Sequence, residues 1–311
     1  MGDSHIHHVT AVTRDPQVNH DFYTDILGLR FVKKTVNFDD PSAYHLYYAD
    51  ELGTPGTVLT FFHWEKLPDA REGVRSISTV LFAVPLGSRH FWKKRLNQKG
   101  VPCEEQLLFG EKVLVLRDPD GLTLALVERE DLLGRPWEGS SVPKESQIGH
   151  IHGVELCLRQ LFDSTRAVFD MFGYTEAEES GAQTRLTLKG DSSHALYIRV
   201  APSLPPAALG CGSIHHVAFR VADGGAQARV RQVLEDRHFQ PTPVIERFYF
   251  RSVYFSVPEG VLFEVATDDP GFLIDEEKDT LGTSLCLPPQ YESYRERIEH
   301  DLRPFNTDES R

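Results

Sequence analysis

Ile6-His7-His8-Val9, read IHHV, opens the chain and is written again as Ile214-His215-His216-Val217. Each copy sits in a short β-branched, apolar stretch of the kind that forms a half-buried strand. A strand of this type also begins two further segments, Ile77-Ser78-Thr79-Val80 and His150-Ile151-His152-Gly153-Val154. Behind each comes a helical segment and then several strands broken by Gly or Pro turns, a repeat of roughly 60 to 75 residues. In the first unit the helix closes with FYTDILGL, Phe22 to Leu29, where Gly28 fits a helix C-cap. The second carries FWKKRLNQKG and DPDGLTLALVE, the third VFDMFGY, and the fourth AQARVRQVLEDRHF with the hairpin VYFSVPEGVLFEVATD. Strand, helix and meander four times over predicts an α+β fold: four βαβββ modules forming paired, barrel-like curved mixed sheets.

The 311 residues exceed the usual range of one domain. The polar, breaker-rich run Gly134 to Gln147 divides them into an N-terminal pair of modules, 1–140, and a C-terminal pair with an acidic tail, 147–311. Ser203 to Gly212 separates the third module from the fourth, and the helical pattern YESYRERIEHDL is expected across the outside. Acidic side chains outnumber basic ones 46 to 33, for a net charge of -13, which argues against nucleic acid and anionic membrane as partners. Lys33-Lys34 and Lys93-Lys94-Arg95 read as solvated strand ends and helix faces. With neither a signal-peptide layout nor an apolar run of membrane-spanning length, the expected location is cytoplasmic. Cys103, Cys157, Cys211 and Cys286 form no CxxC pair and read as buried thiols.

Period-two alternation sorts the residues of each strand onto two faces. His215, Val217, Phe219 and Val221 share one, suited to packing under a helix. His216, Ala218 and Arg220 share the other, suited to a polar cavity. In the first module His7, Val9 and Ala11 fall opposite His8, Thr10 and Val12. Glu264 lies within VLFEVA, apolar enough to be buried, where an ionised carboxylate needs a cation or hydrogen bonds. The repeats act as internal controls. Where the fourth module has Glu264, the first has Thr60 and the second Ala125; where it has His216, the second has Thr79 and the third Gly153. Ligand-type residues survive as His8, His216 and Glu264, one complete set. Two imidazoles and a carboxylate suit Fe(II), then Mn(II), for O2 activation beside a chelating substrate, and the same set could hold Zn(II) for hydrolysis.

FYTDILGL and DPDGLTLALVE resemble the general signatures of the vicinal oxygen chelate superfamily, which includes glyoxalase I and the type I extradiol dioxygenases. IHHVT with KKTVNFDDPSAYHLYYAD, and IHHVAFR with RFYFRSVYFSVPEGVLFEVATDDPGF, resemble its hydroquinone-type ring-cleaving dioxygenases over nearly the whole chain. The resemblance implies an Fe(II) enzyme taking a small aromatic substrate and O2, with His8, His216 and Glu264 as metal ligands. It implies further roles for His7, His215, Thr10, Arg247 and Tyr254. Among these, His215 and then His7 suit proton transfer, Arg247 suits a phenolate or other developing negative charge, and Tyr254 suits a substrate oxygen. Ala125 replaces the glutamate of the DPDG-type strand, which argues against a second site. A glyoxalase-like isomerase, a thiol-conjugating enzyme and a non-catalytic quinone or drug binder are the alternatives, and the oligomeric state, including a homo-oligomer, stays open.

Overall fold

The protein is described by a computed structural model covering residues 4–307, so the outermost residues of the 1–140 and 147–311 halves lie outside the described residues. The first module is β1 (Ile6–Thr13), α1 (Pro16–Asp21), β2 (Arg30–Asn37), β3 (Asp40–Ala49) and β4 (Val58–His63). The second is β5 (Ser76–Pro85), α2 (Arg89–Gln98), β6 (Cys103–Leu108), β7 (Glu111–Arg117) and β8 (Thr123–Arg129). The third is β9 (His150–Leu158), α3 (Asp163–Met171), β10 (Tyr174–Ser180), β11 (Gln183–Leu188) and β12 (Asp191–Val200). The fourth is β13 (Ile214–Val221), α4 (Gly224–Asp236), β14 (Ile245–Glu246), β15 (Arg251–Ser256) and β16 (Leu262–Thr267), followed by α5 (Pro289–Glu292) and α6 (Arg295–Asp301). The βαβββ order read from the sequence is therefore the order observed.

Local chemistry sets the helix ends. The Asp15 carboxylate accepts from the Gln17 and Val18 N–H groups and Pro16 takes the first position of α1. Gly28 then ends that helical segment at φ +71, and a Cβ there would also stand 2.5 Å from Val142. Asp223 caps α4 through the Ala226 N–H.

Two curled eight-stranded sheets result, ordered β14-β15-β16-β13-β1-β4-β3-β2 and β10-β11-β12-β9-β5-β8-β7-β6. The first joins module one to module four through antiparallel β1 and β13; the second joins modules two and three through antiparallel β5 and β9. The hydrogen-bonded units are thus an outer pair of modules around an inner pair, and each sheet draws on both halves of the chain. One continuous core takes Ile6, Val9, Val217 and Phe219 from the first sheet and Val80, Phe82, Val154 and Leu156 from the second. On its other face the first sheet carries a smaller cluster that includes Tyr47, Ala218, Tyr249, Phe250 and Ala266.

Three expectations change. The run Gly134 to Gln147 is fastened down: Val142 is buried, Ser140 donates to the Gly28 carbonyl and the Gln147 amide donates to Trp137 and Val142. The tail does more than cross the outside, since Phe272 and Leu281 pack into the cluster around Tyr47 and Tyr249. Lys33 is not solvated. It is fully buried, its Nζ 2.6 Å from Asp275 and in contact with Glu276 and Cys286, so a strand cation neutralises two tail carboxylates. A register shift between Phe31 and Lys33 sets Lys33 opposite Tyr47 and against Tyr249, on the face that carries Val32 and the tail contacts, which alternation alone does not disclose.

Removing one partner of a buried ion pair leaves the others uncompensated and costs about 3–5 kcal/mol. Lys33→Met is expected to lower stability by that amount in denaturant unfolding. It is also expected to open the 272–286 segment to limited proteolysis while the sheets stay intact.

Candidate metal centre

The register of β1 on β13 sets His8 opposite Ala218 and Thr10 opposite His216, and the parallel pairing of β13 with β16 sets Ala218 beside Glu264. His8 thereby meets His216 and Glu264, both more than two hundred positions later in number, on one face of one sheet. His8, His216 and Glu264 are all buried, with one donor atom of each within 4.8 Å of the other two. Nε2 of His216 stands 2.9 Å and Nε2 of His8 3.3 Å from Glu264 Oε2. Despite this closeness, neither His216 Nε2 nor Glu264 Oε2 has a hydrogen bond of acceptable direction. Buried polar atoms left unpartnered side by side suit the binding of a cation.

Each histidine pair contains a β-bulge. Register shifts fall between Ile6 and His8 on β1 and between Thr10 and Ala11, opposite His216 and Ile214 on β13. Ile6, Val9 and Ala11 all reach the main core, as do Ile214, Val217, Phe219 and Val221. Simple alternation had placed His7 and His215 on that core side; the extra residue turns each beside its ligand neighbour. His7 Nδ1 lies 2.9 Å from His8 Nδ1, and His215 Nδ1 lies 2.8 Å from His216 Nδ1. For Nε2 of a ligand imidazole to present a lone pair, its Nδ1 must carry the hydrogen, which it donates to the preceding histidine. The doubled histidine is a candidate donor with its orienting acceptor attached, the arrangement metal-binding imidazoles need. On the third donor, Ser252 Oγ donates to Glu264 Oε1 at 2.5 Å, leaving Oε2 without a hydrogen bond.

Electrostatics agree with this division of roles. Burial alone would raise the pKa of Glu264, but the His8 and His216 imidazoles outweigh it and hold the carboxyl well below its usual range. Burial lowers His216 and lowers His7 well below 6.5, and it takes His215 down to about 3, so the supporting histidines are neutral near pH 7.

The donors open on a cavity of about 30 Å³, lined also by Thr10, Asn37, Phe38, Asp39, His45, Tyr47, Phe62, Arg247, Phe250 and Tyr254. Of the residues expected beyond the ligands, Thr10, Arg247 and Tyr254 line it. His7 and His215 stand behind the ligands, His7 against Phe250 and His215 against Phe62 and Trp64. Arg247 makes a two-pronged ion pair with Asp39, at 2.9 and 3.1 Å, and its Nε donates to the Tyr254 hydroxyl at 3.3 Å. Tyr254 is pushed well above 10 by burial and by Glu264, so it stays a phenol and a donor. Asn37, Asp39, His45 and Tyr47 were not singled out from the sequence, although His45 and Tyr47 alternate on one strand within AYHLYYAD, the available signal.

The second sheet repeats the register without the ligands. Thr79 pairs with Glu155, Leu81 with Gly153 and Glu155 with Tyr197, so Thr79, Gly153 and Tyr197 occupy the places of His8, His216 and Glu264. A Cβ on Gly153 would fall 2.1 Å from the Ala195 carbonyl oxygen, so no histidine fits there as the backbone stands. A cavity of about 1030 Å³ lies over this sheet, and those three positions carry no imidazole or carboxylate.

Glu264→Gln keeps the shape and removes the charge. The expected result is loss of bound metal by elemental analysis, with unfolding behaviour of the metal-free protein retained. His215→Ala is expected to keep most of the metal but weaken its affinity about 10- to 100-fold, the usual effect of losing an orienting partner.

Comparison with known proteins shows the family. The model of the Glyoxalase/Bleomycin resistance protein/Dioxygenase superfamily matches residues 5–126. "Putative ring-cleaving dioxygenase MhqO" of Bacillus subtilis is 38% identical, over 98% of this chain and 97% of its own. The chlorohydroquinone/hydroquinone 1,2-dioxygenase of Sphingobium indicum is 31% identical, over 97% of this chain and 95% of its own. A crystal structure from Bacillus subtilis superposes with a TM-score of 0.94 at 37% identity, covering 99% of this chain and 100% of that one. Glyoxalase I of Zea mays, 13% identical with a TM-score of 0.63 over 86% of this chain and 93% of its own, shares the fold. The chain belongs to the glyoxalase/bleomycin resistance protein/dioxygenase superfamily, among its ring-cleaving dioxygenases.

Proposed function

We propose that the protein is an Fe(II)-dependent dioxygenase that opens the ring of a hydroquinone or related dihydroxy-aromatic with O2. The observation that carries this reading is the buried set of two imidazoles and one carboxylate, in which His216 Nε2 and Glu264 Oε2 have no hydrogen-bond partner. His8, His216 and Glu264 would hold the ion. An iron ion there supplies the electron transfer that lets a closed-shell aromatic react with O2.

The chain's own residues do the rest. Phe38, Phe62 and Phe250 give the cavity apolar walls, and Arg247 and Tyr254 place a cation and a donor beside the donors of the metal site. A phenolic oxygen bound here would meet the Tyr254 O–H, with the Arg247 guanidinium adding positive charge from behind. The Arg247–Asp39 pair ties the β2–β3 turn to the segment before β15, across a cavity with room for about one water. An aromatic ring is larger, so admission of substrate requires these side chains to part. The glyoxalase-like alternative calls for more protein ligands; Thr60 stands opposite Thr10 as Glu264 stands opposite Ala218, and it supplies a hydroxyl where that alternative needs a charged donor. Mn(II) and Zn(II) are the competing ions. The four cysteines are unpaired, which suits the reducing cytosol.

The test is anaerobic loading with Fe(II), then Mn(II) or Zn(II), followed by oxygen-electrode assays with hydroquinones, catechols and gentisate. Stoichiometric O2 uptake and ring-opened product with a hydroquinone, dependent on iron, is the expected outcome. Bound iron with no uptake on any of the three classes would transfer the assignment to the isomerase or the binder.

A further inference from the structure

Beyond the metal donors, the cup holds a row of polar side chains that ends on Thr10. Tyr47 Oη lies 2.9 Å from His45 Nδ1, His45 Nε2 lies 2.8 Å from Thr60 Oγ1, and Thr60 Oγ1 donates to Thr10 Oγ1 at 2.9 Å. Tyr47, Thr60 and Thr10 are buried, and His45, Tyr47 and Thr10 line the metal cavity. The strands enforce the row: Tyr47 pairs with Thr60 across β3 and β4, and Thr60 with Thr10 across β4 and β1.

The direction of every link follows from one. Thr60 has a single hydroxyl hydrogen and gives it to Thr10, so toward His45 it can only accept. His45 therefore carries its hydrogen on Nε2. Burial, reinforced by His8 and His216, holds His45 well below 6.5, so the ring is neutral and Nδ1 is a bare acceptor for the Tyr47 O–H. Burial likewise holds Tyr47 well above 10, so it remains the donor that starts the row. All hydrogens point the same way, from Tyr47 to Thr10, and the hydroxyl hydrogen of Thr10 is left for the cavity.

We propose that Tyr47, His45, Thr60 and Thr10 form a one-way hydrogen-bond chain that delivers the Thr10 hydroxyl as a donor to negatively charged oxygen in the cup. Thr10 is the group that touches the reacting oxygen, and His45 and Thr60 are its positioning residues. No proton needs to leave the chain. Each link polarises the next, so the terminal donor is stronger and better aimed than a free hydroxyl in a cavity with little water to compete. The row occupies the place that corresponds, in the other half of the sheet, to Glu264 and Ser252: a position for a fourth ligand has become the support of a donor. The inference rests on the dioxygenase reading for its chemistry, though not for its geometry.

Thr60→Val removes the link at nearly constant shape, Thr60→Ser keeps it, and His45→Phe breaks it one step earlier. Two readouts are taken on the iron-loaded proteins: steady-state kinetics, and the visible spectrum of bound 4-nitrocatechol, whose colour reports its ionisation. Expected for Thr60→Val and His45→Phe are unchanged iron content, a kcat about 10- to 100-fold lower with KM little altered, and ionisation of the bound nitrocatechol displaced to higher pH. That loss is smaller than the hundred- to thousandfold typical of removing a direct donor, because Thr10 remains. Thr60→Ser should restore both readouts. Should His45→Phe fail to fold, the Thr60 pair decides alone. Wild-type kinetics and an unmoved nitrocatechol spectrum in Thr60→Val would overturn the chain. Absence of iron-dependent O2 uptake by the wild type would instead remove the dioxygenase reading, and the nitrocatechol spectra would still judge the chain.

Discussion

Everything in the site depends on the antiparallel register of β1 against β13. With His8 opposite Ala218 and Thr10 opposite His216, the two imidazoles lie diagonally across the strand pair and Glu264 follows on the parallel neighbour β16. Period-two geometry makes this unforgiving, because a slip of one residue on either strand would carry a ligand through the sheet into the core. Two β-bulges refine it. By adding a residue at each histidine pair, they let Ile6 and Ile214 return to the core while both histidines of each pair remain together. Without them the Nδ1 contacts within each histidine pair would be lost.

How much of this could be read from the residues themselves varies with the physics involved. The four modules were legible because Gly-terminated helices and alternating strands leave local patterns. That His8, His216 and Glu264 belong together was legible because degenerate repeats expose what one copy keeps and the others lose. Sheet pairing was not. Nothing in a module's own sequence says whether it pairs with its neighbour or with a module at the far end of the chain, and the outer-with-outer arrangement is decided by long-range packing. The faces of His7 and His215 were misread for a related reason, since a bulge breaks alternation and carries no composition signal of its own.

Lys33 and His45 show the same limit at single positions. A lysine flanked by another lysine reads as solvated, yet tail residues over two hundred and forty positions away in number supply Asp275 and Glu276 to neutralise it. His45 gains meaning only from Tyr47 and Thr60, one on its own strand and one on the next. The second sheet supplies the converse lesson. It keeps the register and a far larger cavity but has Thr79, Gly153 and Tyr197 at the ligand places, and the backbone around Gly153 now closes off a side chain there. Shared architecture therefore sets where a site can be, while three side chains set whether there is one.

The most direct measurement is a crystal structure of the protein loaded anaerobically with Fe(II), with the metal located by anomalous scattering at the iron edge. The account requires a single strong peak bonded to Nε2 of His8, Nε2 of His216 and a carboxylate oxygen of Glu264, with His7 and His215 in contact only through the ligand rings. A peak elsewhere, or one that leaves His8 out of bonding range, would contradict it.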